Sequence, residues 1–306
     1  MNTTTTPTQS VVLVGGPDAG KTNYLGRLWM ALDAETGVIA KNGLPAQVEY
    51  LRGIVSSLNS GVFAQRTAPG VFKSTSIPVK WGGGASLGEL VVPDCAGEQW
   101  ERIHREREWN SNWEQAVASM AGCILFFRGT SDHNVGPLNW SNDAEVMKCL
   151  QEVVATDGDL PRLPTQVVYV DWLQCLSAGY RDIQCTEQPL RVSIVLSAWD
   201  LAPKEAREAD PDEYLSTHLP LLHDFLLGNP FLFCPKSFGV SITGGILTDE
   251  DTPFMKQYLK EDPSKTGYVV FANGKNVLRS KDLTLPLAWA FGCECPDFQR
   301  EGIDKP

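Results

Sequence analysis

Three runs along this chain are apolar at nearly every position: Val11-Val12-Leu13-Val14, Ala121 to Phe127 (AGCILFF) and Arg191 to Leu196 (RVSIVL). Short, β-branched and continuous, they predict strands buried on both faces. Ser74 to Trp81, Leu87 to Val92 and Ser237 to Thr243 predict further strands, and Trp81-Gly82-Gly83-Gly84 turns the chain between the first two. Elsewhere the apolar period lengthens to that of helices. Asn23 to Ala34 carries Leu25, Leu28, Trp29 and Leu32 on one face, and Ala46 to Leu58 predicts a second helix. Charged Glu98 to Met120 predicts a helix interrupted near Asn110-Ser111-Asn112. Asn142 to Ala155, Thr165 to Ala178 and Asp212 to Leu227 predict three more, and Leu283 to Phe291 a closing one. Tyr268 to Phe271 is a candidate strand in otherwise irregular surroundings.

This order predicts an α/β fold. Residues 1–9 read as a frayed polar tail and 293–306 as a polar tail. Between them, 10–292 reads as a single domain with a helical insertion at about 131–190 and an irregular one at about 246–283. The eight cysteines are scattered with no C-x-x-C pair, which predicts free thiols in a reducing cytoplasm. No apolar run reaches membrane-spanning length, and MNTTTTPTQS lacks a signal pattern. A net charge of -11 argues against sequence-independent nucleic-acid binding. His218 and His223 on the predicted Asp212–Leu227 helix are five apart and share no face, so they read as core or surface side chains.

The chemistry concentrates at strand ends. After the first strand comes Gly15-Gly16-Pro17-Asp18-Ala19-Gly20-Lys21-Thr22, which fits G-x-x-x-x-G-K-[ST] and precedes a helix. The glycines let successive amides turn inward on a phosphate, and the helix N-terminus favours the same charge. In this pattern Pro17, Asp18, Ala19, Gly20 and Asn23 line the nucleotide, Lys21 reaches the β- and γ-phosphates, and Thr22 ligates Mg²⁺. The Leu87–Val92 strand ends in Pro93-Asp94-Cys95-Ala96-Gly97-Glu98-Gln99, a D-x-x-G. In this it is similar to P-loop GTPases, whose Asp bonds Mg²⁺ through water and whose Gly amide senses the γ-phosphate, which implies those roles for Asp94 and Gly97. The Arg191–Leu196 strand delivers Ser197-Ala198-Trp199-Asp200. A carboxylate at Asp200 accepts from guanine N1–H and N2–H₂, or else only caps a turn.

The ordered set GGPDAGKT, PDCAGE and SAWD resembles the Ras-like GTPases of the TRAFAC class over roughly residues 10–292. Its variant spellings look most like the bacterial GTPases related to the double-GTPase families of conflict and anti-phage cassettes. The resemblance implies a P-loop NTPase fold: a six-stranded, mostly parallel sheet, helices on both faces, and the site at the strands' C-terminal ends. It implies Mg²⁺ with GTP or GDP, a protein effector or regulator, and a cytoplasmic switch. Ser241 and Ile242 fall where such proteins back the guanine ring. Thr67 is the preferred switch I metal ligand, with Thr75 the alternative.

Two departures stand out. Glu98 directly follows the sensor glycine where many relatives place a water-positioning Gln, and Gln99 comes one residue later. The motif N-K-x-D has lost both its Asn and its Lys, leaving Trp199 to replace the lysine stem or to enter the core. An arginine finger from Arg102, Arg105, Arg107 or another protein stays open. So do two alternatives to the switch: a catalytically weak nucleotide-binding scaffold, and an ATP-using enzyme on the same loop.

Overall fold

The computed structural model of the chain describes residues 9–64, 75–82, 84, 86–92, 111–136, 163–247, 252–262 and 266–293. The backbone is one mixed nine-stranded sheet rather than six strands. In chain order the strands are β1 (Gln9–Gly15), β2 (Ile39–Lys41), β3 (Thr75–Trp81), β4 (Ser86–Val92), β5 (Met120–Phe127), β6 (Leu190–Ser197), β7 (Phe233–Ser241), β8 (Tyr268–Asn273) and β9 (Asn276–Ser280). Across the sheet they stand β2-β3-β4-β1-β5-β6-β7-β8-β9. The block from β4 to β7 is parallel throughout. β3 and β2 extend one side antiparallel, and the β8–β9 hairpin extends the other.

The expected six are the six inner strands, and three short additions widen the sheet. β2 has only three residues, too few to carry a period. β8 prolongs the YVVF run to Asn273, and Gly274-Lys275 then returns the chain as β9. The stretch read as irregular thus supplies a sheet edge, preceded by a short helix at Pro253–Tyr258.

Helices cover both faces. On one side lie α1 (Lys21–Asp33), α2 (Val48–Asn59), α8 (Pro253–Tyr258) and α9 (Leu285–Ala290), packed on Val11, Leu13, Ile124, Phe126 and Val195. On the other lie α3 (Ser111–Ala118), α4 (Thr165–Gln184), α6 (Pro211–His218) and α7 (Pro220–Gly228), packed on Val12, Val14, Cys123, Leu125 and Ile194. A small helix α5 (Lys204–Glu208) precedes α6 and has no fully buried residue, with Ala206 packed at the edge of that core. Successive residues of β1 and β5 therefore enter opposite cores, which is why their sequences show no alternation. α9 packs on the sheet, and the Ser193 hydroxyl of β6 donates to the Pro286 carbonyl at 2.6 Å.

One helix divides. The continuous apolar pattern from Asp212 to Leu227 becomes α6 and α7, because Pro220 has no amide to donate and its ring excludes the preceding turn. Leu219, at φ -132 and ψ 56, makes the joint. His218 stacks on Tyr214, and His223 bonds the carboxylates of Asp212 and Asp224. The predicted helix at 142–155 lies outside the described residues, as does the start of the one at 98–120. What is described of the latter begins at Ser111 and ends before Met120, which already belongs to β5. None of the five described cysteines is in a disulfide.

The α1–α2 contact depends on Gly26. A Cβ there would stand 2.4 Å from Ile54 Cγ2 and 3.3 Å from Leu58 Cδ1. Ile54 is β-branched and stiff, so it cannot turn aside at low cost. Gly26→Ala should lower the unfolding free energy by about 1–3 kcal/mol through overpacking, outweighing its better helix propensity. Urea denaturation followed by tryptophan fluorescence measures this, and an unchanged midpoint would show that α2 simply moves away.

Candidate functional site

The loop between β1 and α1 is built almost entirely from backbone. Gly15 has φ +153, and a Cβ on it would meet the Phe126 carbonyl at 2.8 Å, so β1 and β5 approach as only glycine permits. Gly20 has φ +91, and a Cβ on it would lie 2.9 Å from the Ser197 hydroxyl. Asp18 adopts the left-handed region at φ +57, so the chain turns twice within three residues. Lys21 folds back over the loop, its Nζ donating to the carbonyls of Gly15 at 2.6 Å and Gly16 at 2.8 Å.

Neighbouring strands fix this loop from outside. The Ser197 hydroxyl, at the end of β6, donates to the Ala19 carbonyl at 2.7 Å. The Tyr169 hydroxyl of α4 donates to the Phe126 carbonyl at 3.0 Å and accepts from the Gly16 amide at 3.5 Å. Burial pushes the Tyr169 phenol up to about 12, so it remains a neutral donor at physiological pH. Helix α1 starts at Lys21 with no side chain capping its first amides. An N-terminus presented by a glycine loop and flanked by a lysine fits a phosphate group.

Beyond Lys21, Thr22 and Asn23 complete the first turn of α1 and are partly exposed. Asn23 Oδ1 accepts from the Ala64 amide at 2.9 Å, tying α1 to the segment after α2. Thr22 is the only one of the chosen metal candidates among the described residues. Thr67, Asp94, Gly97, Glu98 and Gln99 lie outside them, as do Arg102, Arg105 and Arg107. Thr75 is described: it opens β3 opposite Val92, the last residue of β4. Its hydroxyl is buried and has no hydrogen-bond partner among the described residues. No group of His, Cys, Asp or Glu among those residues is placed to hold a metal ion.

Two strands away from β1, β6 ends in the turn that carries Asp200. Ala198 takes a left-handed conformation at φ +52, and Trp199–Leu201 form one 3-10 turn. Trp199 swings inward. It is 1% exposed, edge-on to Tyr214, and a Cβ on Gly239 would strike its ring at 2.4 Å. It therefore does not replace the lysine stem that would pack on a base. Asp200 stays partly exposed, and its carbonyl accepts from Arg207 at 3.3 Å. Beside it, the Arg279 guanidinium stacks on Tyr268 at 3.6 Å from the ring centre.

Ser241 ends β7 fully buried, and its hydroxyl accepts from the Gly244 amide at 3.0 Å, shaping the following turn. The Ile242 carbonyl accepts from Arg27 Nε at 2.9 Å, and Arg27 Nη2 donates to the Thr266 carbonyl at 2.5 Å. Arg27 is a residue that pattern reading misses, because a charge on an apolar helix is read as solvent-facing. It is 0% exposed, and burial lowers its pKa to about 10. Its two loops meet tightly, for a Cβ on Gly267 would lie 2.6 Å from the Ile242 carbonyl. Arg128 and Tyr169 were missed as well. The one cue was an arginine directly after the apolar run of β5, at the edge of the sheet where the glycine loop also ends.

A parallel block whose first strand ends in a lysine-bearing glycine loop, with an Asp at the same edge two strands on, defines a class: the Ras-like P-loop GTPases. The Double-GTPase 1 family model matches residues 12–290, and the chain belongs to that family. The signal recognition particle receptor SRb-GTP/SRX complex from Chaetomium thermophilum contains a chain of similar outline. It is 13% identical, with 83% of this chain and 97% of that chain covered at a TM-score of 0.36, and nothing below rests on it. No curated protein matches the chain.

Arg27 joins the helix of the phosphate loop to the turn after β7. Arg27→Ala removes both carbonyl donors and leaves a cavity, and should cost roughly 2–4 kcal/mol of stability. Arg27→Lys keeps the stem and one donor and should cost less than Arg27→Ala. Chemical denaturation of both variants checks the ranking, and equal losses would show that only the packed stem matters.

Proposed function

We propose that this protein is a guanine-nucleotide-dependent switch that hydrolyses GTP with Mg²⁺ and regulates a partner protein. The observation that carries the reading is the joining of two half-sites. The glycine loop on β1 and the Asp200 turn on β6 are bonded through the Ser197 hydroxyl and the Ala19 carbonyl. With β5 alone between them, they stand roughly 10 Å apart by strand spacing, which a nucleoside diphosphate bridges. The setting in bacterial conflict or anti-phage defence follows from the resemblance to double-GTPase proteins. A cytoplasmic location follows from the reading of the cysteines. Among the described residues no helix is long and apolar enough to cross a membrane.

In this reading the loop amides and the start of α1 bind the phosphates, and Lys21 exchanges its contacts with Gly15 and Gly16 for the β- and γ-phosphate oxygens. Thr22, with Asp94 and Thr67, would hold Mg²⁺, which supplies charge neutralisation between the β- and γ-phosphates. The Gly97 amide detects the γ-phosphate, and Glu98 or Gln99 orients the attacking water. Asp200 accepts from guanine N1–H and N2–H₂ and rejects adenine, which offers an acceptor at N1 and no 2-amino group. Ser241 and Ile242 close the base side.

Competition binding with GDP, ADP and XDP tests this. The wild-type chain should prefer GDP over ADP by at least about a hundredfold, or ~2.7 kcal/mol. Asp200→Asn should shift preference toward XDP, whose C2 carbonyl accepts from the new amide. Lys21→Ala should weaken every nucleotide by about 1.5–3 kcal/mol. Equal affinity for ADP and GDP, or an unchanged ranking in Asp200→Asn, would reduce Asp200 to a turn residue and end the guanine assignment.

A further inference from the structure

Asp18 sets a problem of charge. It places a carboxylate inside the loop whose amides and lysine are arranged for phosphate, and a nucleoside triphosphate brings several negative charges to the same place. Both carboxylate oxygens accept hydrogen bonds. Arg128 Nη1 donates to Oδ1 at 3.2 Å, and the Ser131 hydroxyl donates to Oδ2 at 3.0 Å. Both donors come from the turn that follows β5.

That turn is itself held in place. Arg128 Nε donates to the Thr130 hydroxyl at 3.2 Å, and Asn134 Nδ2 donates to the Arg128 carbonyl at 2.8 Å and the Gly129 carbonyl at 3.3 Å. The Val135 amide donates to the Thr165 hydroxyl at 2.8 Å, which anchors the turn to the start of α4. The guanidinium is therefore oriented by its surroundings before any ligand arrives. Yet the ion pair is about a third exposed on each side, at 32% and 28%. Pairs of that exposure add little to stability because water screens them. A pre-oriented cation with little structural value, set against the one acidic side chain of an anion-binding loop, has another use.

We propose that Arg128 is a positioning residue for nucleotide binding: it offsets the Asp18 charge, and with Ser131 it holds that carboxylate so that it does not oppose the phosphates the Lys21 side of the loop attracts. The proposal rests on the phosphate-loop reading. It requires charge cancellation and no direct contact between Arg128 and the nucleotide. That distinction gives a signed prediction for a two-residue cycle.

Arg128→Gln removes this positive charge from beside Asp18 and should weaken GTP binding on the order of fivefold. Asp18→Asn leaves Arg128 unbalanced and should tighten GTP binding by a similar factor. The double variant should return to within about twofold of wild type, since both charges are gone. Arg128→Lys, which keeps the charge, should bind close to wild type. Each effect should be larger for GTP than for GDP and should shrink at 0.5 M salt. Isothermal titration calorimetry on the full chain at two salt concentrations measures all of these, and matching thermal melts show that each variant is folded.

Three results would overturn the proposal. These are Arg128→Gln binding like wild type, the double variant staying as weak as Arg128→Gln, and effects that ignore salt. The second would assign Arg128 to direct phosphate contact. Wild-type binding that is absent, or insensitive to Lys21→Ala, overturns the phosphate-loop reading itself and this proposal with it.

Discussion

The phosphate loop has no hydrophobic core of its own, and the molecule is arranged around that deficit. Five residues, 16–20, separate the end of β1 at Gly15 from the start of α1 at Lys21, and nearly all their polar groups are backbone. Such a segment keeps one shape only when its carbonyls and amides are bonded from outside. Here those bonds come from Ser197 on β6 and Tyr169 on α4, while Arg128 and Ser131 in the turn after β5 orient the Asp18 side chain. Each sits at the C-terminal end of a parallel strand or on a helix packed beneath that edge. The parallel block is thus what converges these donors on one loop. Gly15 and Gly20 are the places where the approach is too close for any side chain.

The same logic links the two ends of the site. Helix α1 starts at Lys21 and, less than two turns later, sends Arg27 into the interior to bond the turn after β7. A buried guanidinium is costly to desolvate, and the lowered pKa of about 10 expresses that cost. It is offset by carbonyls of two separate loops, both of which it fixes relative to α1. The helix of the phosphate loop and the turn after β7 are thus bonded to each other directly through Arg27. Asn23 makes a comparable link in the other direction, toward the segment after α2 that leads into residues 65–74.

The sequence reads well where physics makes it redundant. Strands β1, β5 and β6 face two cores each, so their apolar runs are continuous, and the glycine loop between β1 and α1 has a spacing that few other turns share. It reads poorly where one residue overrides a pattern. Pro220 splits an otherwise seamless apolar helix, and Arg27 is a charge whose burial depends on carbonyls more than two hundred residues away. The short edge strand β2 and the hairpin return β9 are pairings with no pattern of their own, since β9 is largely solvent-facing. Thr67, Asp94, Gly97, Glu98 and Gln99 were chosen by motif order, and they fall outside the described residues.

In the proposed function, base selection would follow from where Trp199 goes. The lysine of the guanine motif would lay its stem along the base, whereas Trp199 fills the space between α6 and Gly239 of β7. No stacking surface is left at that position, so stacking contributes nothing there to telling guanine from adenine. What remains at the end of β6 is the Asp200 carboxylate, partly exposed and set beside Tyr268 and the stacked Arg279. Stacking tolerates any base, but a pair of hydrogen bonds does not. A site built to accept two hydrogen bonds penalises a base that lacks the donors, because its carboxylate is then left desolvated and unpaired. In the proposed reading, the absence of the lysine would lower affinity for every base more than it lowers selectivity, and would concentrate the choice of nucleotide in Asp200.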